Sequence, residues 1–378
     1  GSATNKKYYN DLKNEIKKNK LTKICKVLGN LNSIDFRSLL DLSNIVLSLP
    51  ISPEGFGRTV SEAFSMNKVV LAFNYGGVKD QIRGLDPFFS IKPLDYDEIY
   101  FKIKQLEQYS QIEMNNLTRD LRKHVEDNFS LKSMLENYEN LYQSIILWMK
   151  IDIILPFKEN FTVSKASAVS TSVKNSITFS SYKDDIRVYG QFVQSPMLEN
   201  NFIGIKTNKF IHFSNNISII KNYLKLNSSK KEKKLIEVHN RPYLIKYLLK
   251  KINPNPIVLY FHNDPTKMKG SISPKEREYI LKNVSGLVFV SQFLKDKFLE
   301  GINIKSSKLF VIPNSLNINK NALLKKRKKI LFVGRIVEEK GVDIYVNAIK
   351  KVADKFPEWE FLLIGNSGSR KKIFKNNF

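Results

Sequence analysis

Two carboxylates stand eight residues apart across a glycine-containing stretch near the start of the chain. Glu54 precedes Gly55 and Gly57, and Glu62 follows them. Glycines let backbone N–H groups approach a ligand closely, and the first turn of a helix carries a partial positive charge, so a phosphate would be stabilised there. Carboxylates beside a phosphate can accept hydrogen bonds from the hydroxyls of a sugar or a ribose. Two solvated glutamates on a surface helix are the alternative for this spacing alone.

A second set of charges lies near the other end of the chain. Arg335 and Lys340 follow an apolar run and are bracketed by Gly334 and Gly341. Fixed cations in such a loop would stabilise the negative charge that develops on a leaving phosphate. An ordinary helix start is the alternative, because the chain has 62 Lys and Arg residues.

Apolar runs predict the elements that must position these charges. Residues 45–49 and 330–334 have the composition of buried strands, and apolar residues at helical spacing follow Gly57. Strand and helix patterns alternate along the rest of the chain, which predicts an α/β fold with parallel sheets. In such sheets ligands bind at the carboxyl ends of the strands, where both glutamates would lie.

The motifs also carry a family resemblance. Residues 53–57 (Pro-Glu-Gly-Phe-Gly), with Glu62 and the glycine pair at 76–77, resemble the donor-site signature of the retaining glycosyltransferases of family four. Residues 332–341 are similar to the other half of that signature. The resemblance implies the GT-B fold, in which two Rossmann-like domains with parallel sheets face each other across a cleft. It also implies transfer from a nucleotide-diphosphate sugar to a saccharide or lipid-linked saccharide.

The resemblance assigns roles to individual residues. It implies that Arg335 and Lys340 contact the diphosphate, Glu54 the donor sugar and Glu62 the ribose. His262, after an apolar strand in the other domain, would hydrogen-bond the donor sugar. The other donor-side residues that it implies are Gly55, Phe56, Gly57, Arg58, Gly334 and Asn314. The acceptor side would hold His239, Asn240 and Arg241; this stretch and the one at His262 are similar to bacterial lipopolysaccharide-core transferases.

The implied mechanism needs neither a paired carboxylate base nor a metal. Retention is explained in this family by front-face attack, with the leaving phosphate accepting the acceptor proton. No cofactor other than the sugar nucleotide is expected, since four histidines and one cysteine offer no zinc spacing. Asp95 and Asp97 have an Asp-x-Asp form, but their place before a helix predicts capping. The loop at 156–165 lacks the family's glycines, so Lys158, Ser164 or Lys165 would replace its phosphate contact.

The order of the elements is unusual for the family. Elements that normally come first in the donor-binding domain stand here after residue 325, which predicts a circularly permuted chain with its usual start at Met149. The predicted domains are a donor-binding domain of 3–130 with 325–378, a crossover helix at 131–148 and an acceptor-binding domain of 149–324. Permutation also predicts that Ala3 and Phe378 lie close together.

Composition limits the remaining possibilities. The 378 residues allow two domains, and the net charge of +26 favours an anionic partner, although a general bias toward lysine is an equal explanation. One cysteine, no signal peptide and no long apolar segment predict a cytoplasmic protein, free or on the inner face of a membrane. A basic nucleic-acid-binding protein is the main rival, but its aromatic residues should alternate with basic ones, and here they lie in apolar runs. A non-catalytic scaffold that binds sugar nucleotides is the other.

Overall fold

The structure is a computed structural model that describes residues 6–29, 31, 33–145, 150–207, 214–228, 232–252, 255–316, 328–353 and 355–365. The chain divides into two compact units. Unit 1 takes its described residues from the ranges Gly1–Asn128 and Asn317–Phe378, and unit 2 is Phe129–Leu316. Unit 1 is therefore built from both ends of the chain, with all of unit 2 lying between them in sequence.

Unit 1 alternates strands and helices. Its strands are β1 (Cys25–Gly29), β2 (Ile45–Ser48), β3 (Val69–Phe73), β4 (Ser90–Ile91), β12 (Lys329–Val333) and β13 (Glu360–Ile364). Its α-helices are α1 (Lys6–Lys18), α2 (Ser33–Leu42), α3 (Arg58–Ser65), α4 (Gly77–Gln81), α5 (Tyr96–Glu107), α6 (Gln111–Asn128) and α13 (Val342–Val352).

The strands described in unit 1 form one parallel sheet in the order β1-β13-β12-β2-β3-β4. The two ends of the chain interleave in it: β2 pairs with β12, with Ile45 opposite Ile330, and β1 pairs with β13. The helices do the same, because Tyr8 of α1 donates a hydrogen bond to Asp343 of α13 at 3.1 Å. Neither terminal segment could complete this sheet alone.

Local sequence explains the central elements. The run Val69–Phe73 is entirely apolar and entirely buried, as expected for an inner strand of a parallel sheet covered on both faces. Helix α3 follows Gly57, whose φ of +83° is available to glycine at little cost. Val60, Ala63 and Phe64 recur at helical spacing and form its buried face.

Unit 2 has the same alternation. Its strands are β5 (Lys150–Ile154), β6 (Ile186–Gln191), β7 (Phe202–Ile205), β8 (Lys234–His239), β9 (Ile257–Phe261), β10 (Gly286–Phe289) and β11 (Leu309–Val311). Its α-helices are α7 (Leu131–Ile145), α8 (Ala168–Phe179), α9 (Asn215–Leu226), α10 (Ile245–Ile252), α11 (Pro274–Asn283) and α12 (Gln292–Leu299).

The strands described in unit 2 form a parallel sheet in the order β11-β10-β9-β8-β5-β6-β7. Helix α7 packs into its core through Met134, Tyr138 and Leu141. A buried ion pair also holds this core, since Lys234 Nζ lies 3.1 Å from Asp152 Oδ2. Both side chains are buried, so each compensates the charge of the other.

The predicted α/β class with two parallel sheets and Rossmann-like alternation is confirmed. Strand β7 was not predicted, because Gly204 and the polar residues before it hide its short apolar pattern. The predicted approach of Ala3 to Phe378 lies outside the described residues, as do Met149 and most of the linker before β12. Among the described helices, none has the length and apolar character needed to cross a bilayer.

Candidate functional site

Three loops of unit 1 meet at the carboxyl edge of its sheet. The loop after β2 is tied to the loop after β12, because Ile51 N and Ser52 N both donate to Glu339 O, at 3.1 and 3.4 Å. The loop after β3 joins them through Gly77 N, which donates to Glu54 O at 2.7 Å. Backbone hydrogen bonds therefore bring together loops that are far apart in sequence.

Glycines allow this close approach. Gly341 has a φ of +69°, and a Cβ atom there would overlap the carbonyl oxygen of Leu49. A Cβ atom at Gly77 would likewise overlap the carbonyl of Gly55. Only glycine fits at these two contacts. The loop that ends at Gly341 and the glycine pair after β3 therefore both lie at the carboxyl edge of this sheet.

Glu54 and Lys340 form an ion pair across these loops. Their side chains are 20% and 23% exposed, so the pair lies near the surface of unit 1. Burial lowers the pKa of the Lys340 ammonium, and the neighbouring carboxylate opposes that change by favouring the charged form. The predicted convergence of an acid from the start of the chain with a cation from its end is found; the roles of the two residues stay predictions.

Arg335 lies at the same edge in a more open position. Its guanidinium is 51% exposed, and Nη2 is 3.6 Å from Glu339 Oε2. An exposed pair of this kind contributes little to stability, since water screens both charges. Gly334 just before it donates its N–H to Ile364 O at 3.0 Å, so the backbone is anchored while the Arg335 side chain can reach a ligand.

Glu62 lies on α3, half-buried beside Arg58. Arg58 Nη2 is 3.1 Å from Glu62 Oε1, and burial raises the pKa of Glu62 while the guanidinium opposes the rise. Arg58 Nε is buried and has no hydrogen-bond partner among the described residues. A carboxylate so placed can accept hydrogen bonds, and the neighbouring guanidinium keeps it ionised more easily.

Sequence reasoning missed the residue that supports the glycine loop. The buried Gln81 donates through Nε2 to the carbonyls of Phe56 and Gly57, and its Oε1 accepts from the Ser61 hydroxyl. One amide thereby fixes both the loop and the first turn of α3. The only signal in the sequence is that a glutamine follows closely after the glycine pair. This pattern is too common to predict the role of Gln81.

The histidines that the sequence singled out lie together in unit 2. His239 ends β8 and His262 follows β9, and His239 Nδ1 is 3.0 Å from His262 Nε2. Asn240, with a φ of +51°, accepts from His262 N through its side chain at 2.8 Å. Arg241 Nη1 donates to Asn240 O at 2.6 Å. All four residues therefore form one hydrogen-bonded group at the carboxyl edge of the second sheet.

His262 is neutral at pH 7. Burial and the neighbouring His239 hold the pKa of His262 well below its usual range. His262 can therefore serve a ligand as a hydrogen-bonding group but not as a cation.

Asn314 also belongs to unit 2, where it is half-buried after β11.

The aspartates at 95 and 97 are used structurally. Asp95 caps α5 by accepting from Glu98 N at 2.9 Å, which confirms the predicted cap. Asp97 pairs with Lys351 of α13. Within the described ranges, no group of three or more His, Cys, Asp or Glu side chains is arranged to hold a metal ion.

Comparisons with known proteins point to a reaction type. A family model described as "Glycosyl transferases group 1" matches residues 1–124 and 314–377. A protein of Bacillus subtilis (strain 168) named "Putative glycosyltransferase YtcC" is 27% identical over 150 residues, which are 35% of this chain and 36% of that protein. The chain thus aligns with about a third of that relative's length. Both similarities support glycosyl transfer.

Proposed function

We propose that this protein is a retaining glycosyltransferase that uses a nucleotide-diphosphate sugar and needs no metal. The acceptor would be a saccharide or a lipid-linked saccharide, as in the synthesis of lipopolysaccharide or another surface glycan. The observation that carries the proposal is the meeting of Glu54 with Lys340, from opposite ends of the chain, at one glycine-lined sheet edge. The two segments that form this edge are the ones that the glycosyltransferase family model matches.

The cations of unit 1 would act on the leaving group. When the bond between the sugar C1 and the phosphate oxygen breaks, negative charge grows on the diphosphate, and Lys340 and Arg335 would stabilise it. Lys340 would exchange its contact with Glu54 for one with phosphate. Groups fixed before the reaction stabilise such charge without reorganising, and each is worth about a hundredfold or more in rate.

The carboxylates and the glycine loop would hold the donor. Glu62 would accept hydrogen bonds from the ribose hydroxyls, and Glu54, freed from Lys340, from hydroxyls of the donor sugar. Phe56 and Gly57 form the loop in front of α3, which Gln81 fixes. The start of a helix favours a phosphate, so the diphosphate would lie between this loop and Arg335.

Unit 2 would supply the other polar contacts. We assign His262 to a hydroxyl of the donor sugar, and His239, Asn240 and Arg241 to the acceptor side. The acceptor hydroxyl would attack C1 from the face that the diphosphate leaves. Because attack and departure take place on the same face, the new C1–O bond keeps the original configuration. The proton of the acceptor hydroxyl would pass to the leaving phosphate oxygen. No protein carboxylate has to act as a base in this scheme.

We also propose that the chain is a circular permutation of its family's usual order. Two observations support this: β12 and β13 lie between β1 and β2 in one sheet, and one family model matches both terminal segments. A cytoplasmic location, with attachment to an anionic membrane through basic side chains, belongs to the same proposal. Each lysine or arginine near such a surface contributes about 1 kcal/mol.

Donor binding and turnover test the proposal. We expect one of UDP-glucose, GDP-mannose and ADP-glucose to raise the melting temperature of the full chain and to be hydrolysed slowly, with EDTA causing no loss. Lys340→Ala should lower turnover by about a hundredfold. Glu62→Ala should weaken binding by about tenfold, the cost of one hydrogen bond to a charged group.

Lys350→Ala is the matched control. Lys350 also pairs with a glutamate in unit 1, Glu15, and has a similar exposure, but it lies on α13 away from the loops. Its removal should leave donor binding unchanged. Unchanged binding and turnover in both Lys340→Ala and Glu62→Ala would remove these assignments. Stabilisation without any turnover, even with acceptors present, would indicate a non-catalytic scaffold, and binding of RNA alone a nucleic-acid-binding protein.

A further inference from the structure

Unit 2 has a pocket that the donor assignment does not use. It has a volume of about 500 Å³ and lies between the loops that follow β5 and β6. The strand order reverses at β5, since β6 lies on one side of it and β8 on the other. Ligands of open α/β sheets bind at the carboxyl ends of strands near such a reversal, and pockets of about 300–1,000 Å³ are typical of small-molecule sites.

Neutral hydrogen-bonding groups dominate the lining. They include Asn160, Thr162, Gln191, Gln194 and Ser195. The Thr207 hydroxyl donates to Gln191 Oε1 at 2.9 Å and so orients that amide. Amides and hydroxyls both donate and accept, which is what the hydroxyls of a sugar require.

An exposed aromatic ring completes this chemistry. Phe192 lines the pocket and is 50% exposed, so its ring offers apolar surface to a ligand. The C–H face of a sugar ring is apolar and could cover it, which would remove apolar surface from water. Phe157 lines the same pocket and adds a second ring.

The charged side chains at the pocket are cationic. Lys165 lines it, and Lys206 Nζ lies 5.7 Å from the centre of the Phe192 ring. No carboxylate is among the residues that line this pocket. A neutral sugar needs no such cations, whereas a sugar that carries an acid would be stabilised by them.

The loops are also held in place before any ligand arrives. Met197 N donates to Phe161 O at 3.0 Å, and Phe157 N donates to Asn216 Oδ1 at 2.8 Å. Phe161 stacks on Phe202 with ring centres 5.3 Å apart. A preformed site loses less entropy on binding, which favours recognition of a small ligand.

We propose that this pocket binds the acceptor as an anionic saccharide, a sugar that carries a phosphate or a carboxylate. Its ring lies against Phe192, its hydroxyls meet the amides, and its acid lies near Lys165. This inference rests on the proposed function, since it names the acceptor class of the same reaction. It also assigns Lys165 to the acceptor, whereas the sequence had offered it as a replacement contact for the donor phosphates.

Binding of simple probes to the full chain tests the inference. Glucose 6-phosphate, glucuronate, glucose and inorganic phosphate are titrated separately and followed by isothermal titration calorimetry. We expect one or both acidic sugars to bind about tenfold more tightly than glucose, which equals about 1.4 kcal/mol. The stronger of the two identifies the acid as a phosphate or a carboxylate. Lys165→Gln should remove the difference, and Phe192→Ala should weaken all three sugars.

Matched controls lie at the opposite edge of the sheet. Phe179 is also 50% exposed, at the end of α8, and Lys183 is exposed just before β6. Phe179→Ala and Lys183→Gln should leave binding of every probe unchanged. If they weaken binding as much as the pocket variants do, the pocket is not the site.

Other results would overturn the inference or separate it from the proposed function. Equal affinity for glucose and the acidic sugars would overturn the anionic acceptor. Inorganic phosphate that binds as tightly as glucose 6-phosphate, without dependence on Phe192, would show an anion site with no sugar recognition. If the probes bind as expected while no nucleotide sugar does, only the proposed donor reaction fails. If donors turn over and the pocket variants behave as wild type, only this inference fails.

Discussion

The two sheet edges hold their polar groups in different ways. In unit 1, backbone hydrogen bonds and glycine contacts fix the loops, while the charged Glu54 and Lys340 stay partly exposed. In unit 2, side chains fix one another: His239 and His262 are buried and hydrogen-bonded. A partly exposed ion pair can exchange its partner for a ligand more easily than fully buried polar groups can be separated. The first edge is therefore suited to a charged ligand that comes and goes, and the second to fixed hydrogen bonds.

The largest expected loss of stability comes from a substitution that disrupts the close glycine contact of unit 1. Gly341→Ala adds a methyl group against Leu49 O and forces alanine into a φ of +69°. Overpacking and the left-handed backbone together should destabilise unit 1 by about 4 kcal/mol. Hydrogen exchange under increasing urea, read from peptides that cover β2 and β3, measures this.

Gly84→Ala is the control for that variant. Gly84 also has a positive φ, +81°, but nothing lies within 4 Å of an added Cβ atom. It should therefore cost only the backbone preference, about 1–2 kcal/mol. Equal losses for the two variants would mean that the contact between the loops does not matter, and that unit 1 is not held by close backbone approach.

The next-largest loss of stability comes from breaking the buried ion pair of unit 2. Asp152→Asn removes the counter-charge of the buried Lys234 and should destabilise unit 2 by about 3 kcal/mol. Glu136→Gln breaks an exposed pair with Lys132 in the same unit and should cost less than about 0.5 kcal/mol. Peptides from β5 and β8 report both changes by hydrogen exchange. Comparable losses would show that burial does not distinguish these pairs.

The smallest expected effect is the dependence of the stability of unit 2 on pH. The pKa of His262 is lowered in the folded protein, so as pH falls the unfolded chain takes up the proton first. Its contribution to stability is complete above about pH 6.5, the usual value for histidine, and decreases below it. Unit 2 should lose about 1 kcal/mol between pH 6.5 and 5.5.

Exchange of peptides that cover β9, corrected for the intrinsic effect of pH on exchange, measures this loss. His262→Gln removes the imidazole and should flatten the dependence. A variant with the same slope as wild type would show that another group in unit 2 is responsible.

The sequence contained enough to predict the class of fold and part of the site. Apolar runs predicted β2 and β12, and the carboxyl ends of parallel strands lie at one edge of a sheet. The resemblance to a family, which places both motifs in one donor site, supplied the approach of Glu54 to Lys340. The predicted roles of these residues stay predictions. Resemblance to a family supplied those roles, since spacing alone allows solvated glutamates and an ordinary helix start.

Other features depend on contacts that the sequence does not display. Gln81 reaches the carbonyls of Phe56 and Gly57, which lie a helix and a strand before it in the sequence, and no sequence pattern links such positions. The contact between His239 and His262 depends on how two rings are turned at neighbouring strand ends. The pocket in unit 2 depends on the paths of two loops that have no regular period.

The pairing of β2 with β12 also affects how the protein is made. A ribosome completes β2 early, but translates β12 only after the whole of unit 2. Unit 2 can fold as it emerges, while β2 waits with one side uncovered, and unpaired strand edges favour aggregation. Nascent chains should therefore need chaperone protection at β2 and β3 until β12 and β13 leave the exit tunnel.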